Sequence, residues 1–154
     1  QIPASEDRGS VMPTVNVEVK VSGALFTQGL PARIIDRALN QAIVELLQIG
    51  EQRLDMILRP RAAGVYLAVE EAKKGQASTG HYRRSIHAVT SHLQGIITDS
   101  GVVYGPWLEG VSNRNITTRF KGYASFRRVG ETLKGDANRV ARAHIVKAVR
   151  ELNR

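Results

Sequence analysis

The sequence contains no cysteine. That excludes a disulfide framework, a thiol nucleophile and a zinc site built on cysteine. Aromatic residues are scarce, at 5%, with a single tryptophan, so the core must be built mainly of Val, Ile, Leu and Ala. No apolar run approaches the roughly 20 residues that span a bilayer, and no membrane partner is expected. The first ten residues, QIPASEDRGS, have neither the basic nor the apolar region of a signal peptide. Acidic charge is scarce at one end only. From Arg119 to Arg154 there are ten Lys/Arg against three Asp/Glu, whereas the preceding residues carry twelve against eleven. The net charge of +8 therefore belongs to the last quarter of the chain. Such a field attracts nucleic acid, acidic protein surfaces or anionic lipid.

A chain of 154 residues that is 42% hydrophobic fits one domain with its own core. Residues 1–13 read as a flexible arm and 14–154 as a single domain. TVNVEVKVS alternates, with Val15, Val17, Val19 and Val21 on one side and Asn16, Glu18 and Lys20 on the other, which predicts a half-buried strand. Pro31 opens a helix that runs to Leu58, just ahead of Pro60. Ile35, Leu39, Ala42, Ile43, Leu46 and Ile49 form its apolar stripe, continued by Leu54, Ile57 and Leu58. About 28 residues at 1.5 Å each make it roughly 42 Å long. It is either a curved core helix with a weak point at Gly50 or a helix that reaches a neighbouring subunit. GVYLAVEEAKKG is ambiguous between helix and strand, and QASTG reads as a polar loop. HYRRSIHAVTS and LQGIITDS read as two strands turning near Ser91–Gln94, and SGVVYG completes a meander. GYASFRRVGETLK and DANRVARAHIVKAVRELN read as helix interrupted at Gly135, with Asp136 as an N-cap. Ala137, Val140, Ala141, Ile145, Ala148, Val149 and Leu152 line its inner face. The expected architecture is α+β: a small antiparallel sheet packed against a long N-terminal helix and a basic C-terminal helix.

Few residue patterns suggest catalysis. His81, His87 and His92 have spacings that suit neither a helix face nor a metal loop, and His144 stands alone. No metal or cofactor is expected. Ser85 and Ser100 lack a nucleophile elbow. Glu70–Glu71 beside Lys73–Lys74 reads as a solvated face. Asp99 and Glu109 fall near one corner, but no substrate-binding aromatics surround them. SNRNITTRFKGYASFRR carries five basic residues and no acid, interleaved with Phe120, Tyr123 and Phe126. These are the ingredients of a single-strand binding surface, yet rings at every third residue would share a helix face and pack inward.

The stretch YGPWLEG, Tyr104–Gly110, holds the only tryptophan. Pro106 suits the start of a helical turn, Glu109 lies within it, and Gly110 lets the chain leave with positive φ. Trp107 and Leu108 anchor the turn.

In order, Thr79-Gly80-His81-Tyr82-Arg83-Arg84-Ser85-Ile86, a strand pair, Tyr104–Gly110, a basic loop and a C-terminal helix resemble the tail-completion, or head–tail joining, neck proteins of long-tailed bacteriophages. The run TTRFKGYASFRR is similar to that of actinobacterial-phage members, and the resemblance spans about residues 31–150. It implies a structural virion protein with no catalytic residues. Such proteins form a homo-oligomeric ring, often sixfold, between the head-completion or stopper proteins and the tail-tube or tail-terminator proteins. Genomic DNA passes through the lumen without sequence-specific binding, and assembly takes place in the host cytoplasm. The resemblance assigns Thr79, Gly80, Tyr104, Glu109 and Gly110 to the fold and the subunit contact, with Arg84, Ser85 and Trp107 in the same motifs. Glu109 is expected to pair with Arg114 or Arg119, of its own chain or the next. The runner-up expectation is a small basic nucleic-acid-binding domain. A hydrolase using Asp99 and Glu109 is the third.

Overall fold

The computed structural model describes residues 12–20, 29–59 and 80–153. Thr79, the ambiguous segment 64–75, the loop 76–79 and most of the arm lie outside the described residues. Three strands, β1 (Thr14–Glu18), β2 (His87–Ser91) and β3 (Gln94–Thr98), form one antiparallel sheet in the order β1-β3-β2. Two 28-residue helices, α1 (Leu30–Ile57) and α5 (Ser125–Leu152), pack against each other and against the sheet. Three short helical segments, α2 (His81–Ser85), α3 (Gly105–Glu109) and α4 (Arg114–Thr117), occupy the connections. The architecture is α+β, as the periodicities predict.

The alternation of β1 holds: Val15 is buried, Val17 and Val19 are half-buried, and Asn16 and Glu18 are exposed. The apolar stripe of α1 holds too, with Leu39, Ala42, Ile43, Leu46, Leu47, Leu54 and Leu58 in the core. Gly50 is not a weak point. A Cβ there would collide with the Ile97 side chain and press on Leu133, while a Cβ at Gly95 would collide with Leu47 and Ile43. Helix and strand thus interlock through two glycine notches, each filled by the other element's aliphatic side chain. α1 also holds the hairpin from beneath. The Leu93 N–H donates to Asn40 Oδ1 at 2.9 Å and the Ala88 N–H to Glu51 Oε1 at 2.7 Å. Asn40 and Glu51 are three helical turns apart, so they share a face.

Five expectations need correction. His81–Ser85 is helical rather than a strand. Its turn is closed by Ser85 Oγ donating to the His81 carbonyl at 2.9 Å, and it buries Tyr82. SGVVYG is not a third strand, because β1 has already taken that side of β3, and the positive φ of Ser100 and Gly101 ends the strand. The C-terminal helix is not broken at Gly135. A mid-helix glycine costs about 1 kcal/mol relative to alanine, while burying Leu133 and Val140 on either side returns about 1.5–3 kcal/mol each. The helix therefore runs through. Asp136 is no N-cap. It pairs with Arg53 of α1 at 2.5 Å and with Arg139 at 2.8 Å. Val149, expected inside, is exposed. Because among the described residues nothing lies within 4 Å of a Cβ at Gly135, Gly135→Ala should raise unfolding stability by about 0.5–1 kcal/mol. Denaturant titration checks this.

Candidate functional site

The chain from Asp99 to Phe126 folds into a corner that joins the end of β3 to the start of α5. Pro106 and its neighbours make the single turn α3, which ends at Gly110 with φ 85°. The next backbone pass crosses directly over this exit. Gly122, at φ 90°, lies so close to Gly110 that a Cβ on either residue would overlap backbone atoms of the other strand of the crossing. Tyr123 N–H donates across it to the Leu108 carbonyl at 2.6 Å. Asn115, buried, clamps the loop: its amide donates to the carbonyls of Trp107 at 2.9 Å and Phe120 at 3.1 Å.

Glu109 is 7% exposed, and its carboxylate is fully engaged. One oxygen accepts from the Ser125 N–H at 3.1 Å and from the Ser125 hydroxyl, and the other from the Phe126 N–H at 3.0 Å. These are orphan donors at the start of α5, and an anion there meets the positive end of the helix dipole. Glu109 is thus a remote cap for the longest basic element of the chain. Among the described residues no ion pair joins it to Arg114 or Arg119, so the expected intrachain pairing is corrected. Arg114 instead lies over the Trp107 ring, 5.9 Å from its centroid, and Arg119 is exposed on the loop.

Behind Glu109 is a second acid. Asp99 is fully buried; one oxygen accepts from the Gly101 N–H at 3.0 Å, and the other has no partner among the described residues. Gly105 packs directly on that free oxygen and on the Tyr82 ring, leaving no room for a Cβ. Tyr82 is buried, its hydroxyl has no partner among the described residues, and its ring lies 6.1 Å from Tyr104. Burial raises the Tyr82 pKa, and the charges of Glu109 and Asp99 raise it further. Burial also pushes Asp99 and Glu109 above their ordinary values; for Glu109 it outweighs the pull of its three donors. Asp136 is the opposite case, held below its ordinary value by hydrogen bonds from Arg139 and Arg53.

The signs give a pH prediction. Asp99 and Glu109 hold protons in the native state at pH values where the unfolded chain has released them, above about 3.8 and 4.5. Their contribution is fully present below those values and is lost as pH rises through the higher native pKa values. Asp136 contributes above 3.8 and loses its effect below it. Stability should therefore decline as pH rises above about 4.5, and Asp99→Asn should flatten that decline. Thermal melts across the range provide the check.

Of the motif residues, Gly80 opens α2 with φ 69°. Tyr104, Trp107, Glu109 and Gly110 come together in the corner, and Arg114 joins them through Trp107. Arg84 and Ser85 are carried on α2. The Ser85 carbonyl accepts from the Ser100 hydroxyl at 2.7 Å, and that hydroxyl lies 2.9 Å from His87 Nδ1. This Ser–His contact ties the start of β2 to the end of β3. Among the described residues no carboxylate orients the other ring nitrogen. Phe120 and Tyr123 are half-buried; the Phe120 ring packs tilted against Trp107 at a centroid distance of 4.8 Å, and Tyr123 meets Phe120 edge-on at 4.9 Å. They pack inward as expected, but from a loop rather than a helix face, since Ala124 has φ 51° and α5 begins only at Ser125. Gly122, Asn115 and Ser125 went unrecognised in the sequence. A glycine flanked by the loop's last basic residue and an aromatic is the only signal that marks the crossing.

The exterior of the corner is apolar in places. Val103 is 95% exposed, Ile116 76% and Val111 62%. Among the described residues no group of His, Asp and Glu could hold a metal ion, and no helix is long and apolar enough to cross a membrane. Comparison with protein-family models, with curated proteins and with solved structures gives no match.

Proposed function

We propose that the protein is a structural subunit of the phage neck, one member of a ring that joins the DNA-filled head to the tail tube. The observation that carries this reading is the use made of Glu109. The most chemically conspicuous residue of the resembling motif has both carboxylate oxygens committed to the first turn of α5. Its neighbours Gly105, Gly110 and Gly122 serve close packing. The motif therefore makes a rigid corner, and the apolar side chains of Val103, Val111 and Ile116 are turned outward from it. Exposed aliphatics on a braced loop suit contact with other proteins better than solvent. In the ring, the basic face of α5 meets an acidic patch on an adjoining ring, because a cationic lumen would hold DNA that must slide.

Antibody against the chain, gold-labelled and applied to intact virions, should decorate the head–tail junction. Labelling confined to the capsid shell or the tail tip, or no labelling of virions, would overturn the reading.

A second reading, nucleic-acid binding, draws on the exposed Arg119, Lys121, Arg127 and Arg128. Against it, Phe120 and Tyr123 are engaged with Trp107 and with each other, which removes the stacking platform. A neck subunit should retain duplex DNA weakly and without sequence preference. Tight binding that falls steeply with salt would favour the second reading.

A further inference from the structure

We propose that the outward stripe of α5 from Gly135 to Arg150 docks an acidic amphipathic helix of a different protein. Its carboxylates would meet Arg139, Arg142 and Arg150, and its apolar side chains Val146 and Val149. This rests on the neck reading and names the chemistry of the neighbour that α5 takes.

The spacing comes first. Gly135, Arg139, Arg142, Val146 and Val149 follow one another at intervals of four, three, four and three, and all are exposed. That is the spacing of a seam along which two helices pack. The stretch is about 21 Å long at 1.5 Å per residue. An open trough of about 490 Å³ runs along it, lined by Asn138, Arg139, Arg142, Ala143 and Val146. Gly135 and Ala143 keep its profile low, and side-chain size at the contact sets how near a second helix comes. Val146 and Val149 are each 43% exposed, although a basic helix exposed only to water has no use for valines on its outer face.

Charge selects the occupant. α5 carries seven Lys/Arg and three acids, and none of the acids stands on this stripe. Asp136 is turned to α1, held between Arg53 at 2.5 Å and Arg139 at 2.8 Å. Glu151 lies in the cleft against α1 with Arg37 and Gln41. Glu131, one step before Gly135 at the same spacing, sits on the rim of the slot beside β1 and bounds the stripe. On the α1 side, Glu45 is taken by His144 at 2.8 Å. Arg142 and Arg150 have no carboxylate partner among the described residues, and Arg139 shares its own with Arg53.

A second copy of the chain does not fit. Laid antiparallel on the stripe across a twofold axis, it would set each arginine against a valine and add a second set of cations. The exposed acids among the described residues are Glu18, Glu131 and Glu151, and no two of them share a helix turn, so no described face supplies the complement. A nucleic acid fits less well than a peptide. Phosphates take the arginines but leave the two valines beside them without a partner. An amphipathic helix with carboxylates flanking its apolar seam satisfies both.

Fluorescence anisotropy with a designed probe tests this. The probe is a labelled helical peptide of about three heptads, with leucine along its seam and glutamate beside it. It should bind at least about tenfold tighter than a peptide of the same composition whose leucines are scattered around the helix. Arg142→Glu with Arg150→Glu should weaken binding at least about tenfold, and Val146→Asn about fivefold. These side chains are exposed, so circular dichroism and melting temperature should stay near wild type. Lys20→Glu with Arg33→Glu, exposed elsewhere, changes the net charge equally and should leave binding within about twofold. Equal binding of the scattered peptide, or an equal loss in the Lys20/Arg33 variant, would overturn the proposal in favour of general charge attraction. Tighter binding of duplex DNA or of anionic vesicles through Arg142 and Arg150 would overturn it too. So would a wild-type dimer in sedimentation velocity that Val146→Asn dissociates. The neck assignment is decided separately, by the location of the chain in virions.

Discussion

Glu109→Ala is expected to lower unfolding stability by about 3–5 kcal/mol, a large part of what holds a domain of this size together. The substitution leaves the N–H groups of Ser125 and Phe126 and the Ser125 hydroxyl without their acceptor in a buried place; Ser125 is fully buried. Each orphaned donor costs about 1–3 kcal/mol, and loss of a helix cap alone about 1 kcal/mol. Glu109→Gln keeps the shape and one acceptor oxygen but aims an amide N–H₂ at a backbone donor. It should lie between, at about 1–2 kcal/mol, and should weaken particle assembly. Denaturant midpoints of the two variants at neutral pH test the ordering. An alanine variant as stable as wild type would show that α5 does not depend on this carboxylate.

The second large effect is expected at the glycine crossing. Gly122→Ala must place a methyl group against Gly110 backbone and the Glu109 carbonyl carbon, at a residue whose φ is 90°. The left-handed conformation alone costs an L-residue about 1–2 kcal/mol. The overlap is the larger problem, because backbone cannot swing aside as a side-chain tip can. Opening the crossing breaks the Tyr123–Leu108 hydrogen bond and disturbs the helix start that Glu109 holds. A loss above about 4 kcal/mol is expected, with no cooperative unfolding transition left to observe. Set beside Gly135→Ala, which should stabilise, the pair separates glycines that the corner requires from one that it tolerates. Calorimetry that finds both variants within about 1 kcal/mol of wild type would contradict the crossing.

The fold was largely legible in the sequence because its elements carry clean periods. The valines of β1 and the stripe of α1 mark their buried faces at spacings of two and of three to four, and burial follows them closely. What misled were local signals that tertiary contacts override. Gly50 and Gly135 both look like helix breakers. The first is a notch for Ile97, and the second is carried by the buried side chains around it. The α2 turn was misread because HYRRSI can be either short helix or strand; burial of Tyr82 under the corner decides it. The α3 turn could be read from Pro106 and Gly110, since both act through their own backbone. The partner of Glu109 could not. Ser125 is 16 residues away along the chain, and the arginines nearby offer an obvious alternative that Glu109 does not use within its own described chain. The same holds for Asn115, Gly122 and Asp99, whose roles exist only once two distant passes of backbone meet.

The role proposed for these residues is to build a surface for neighbouring subunits at the head–tail junction. Electron microscopy of lysates from a phage lacking this chain tests it most directly. The prediction is DNA-filled heads and completed tails that fail to join, with joining restored by the wild-type chain and impaired by Glu109→Gln. Normal, infectious virions assembled without the chain would contradict it.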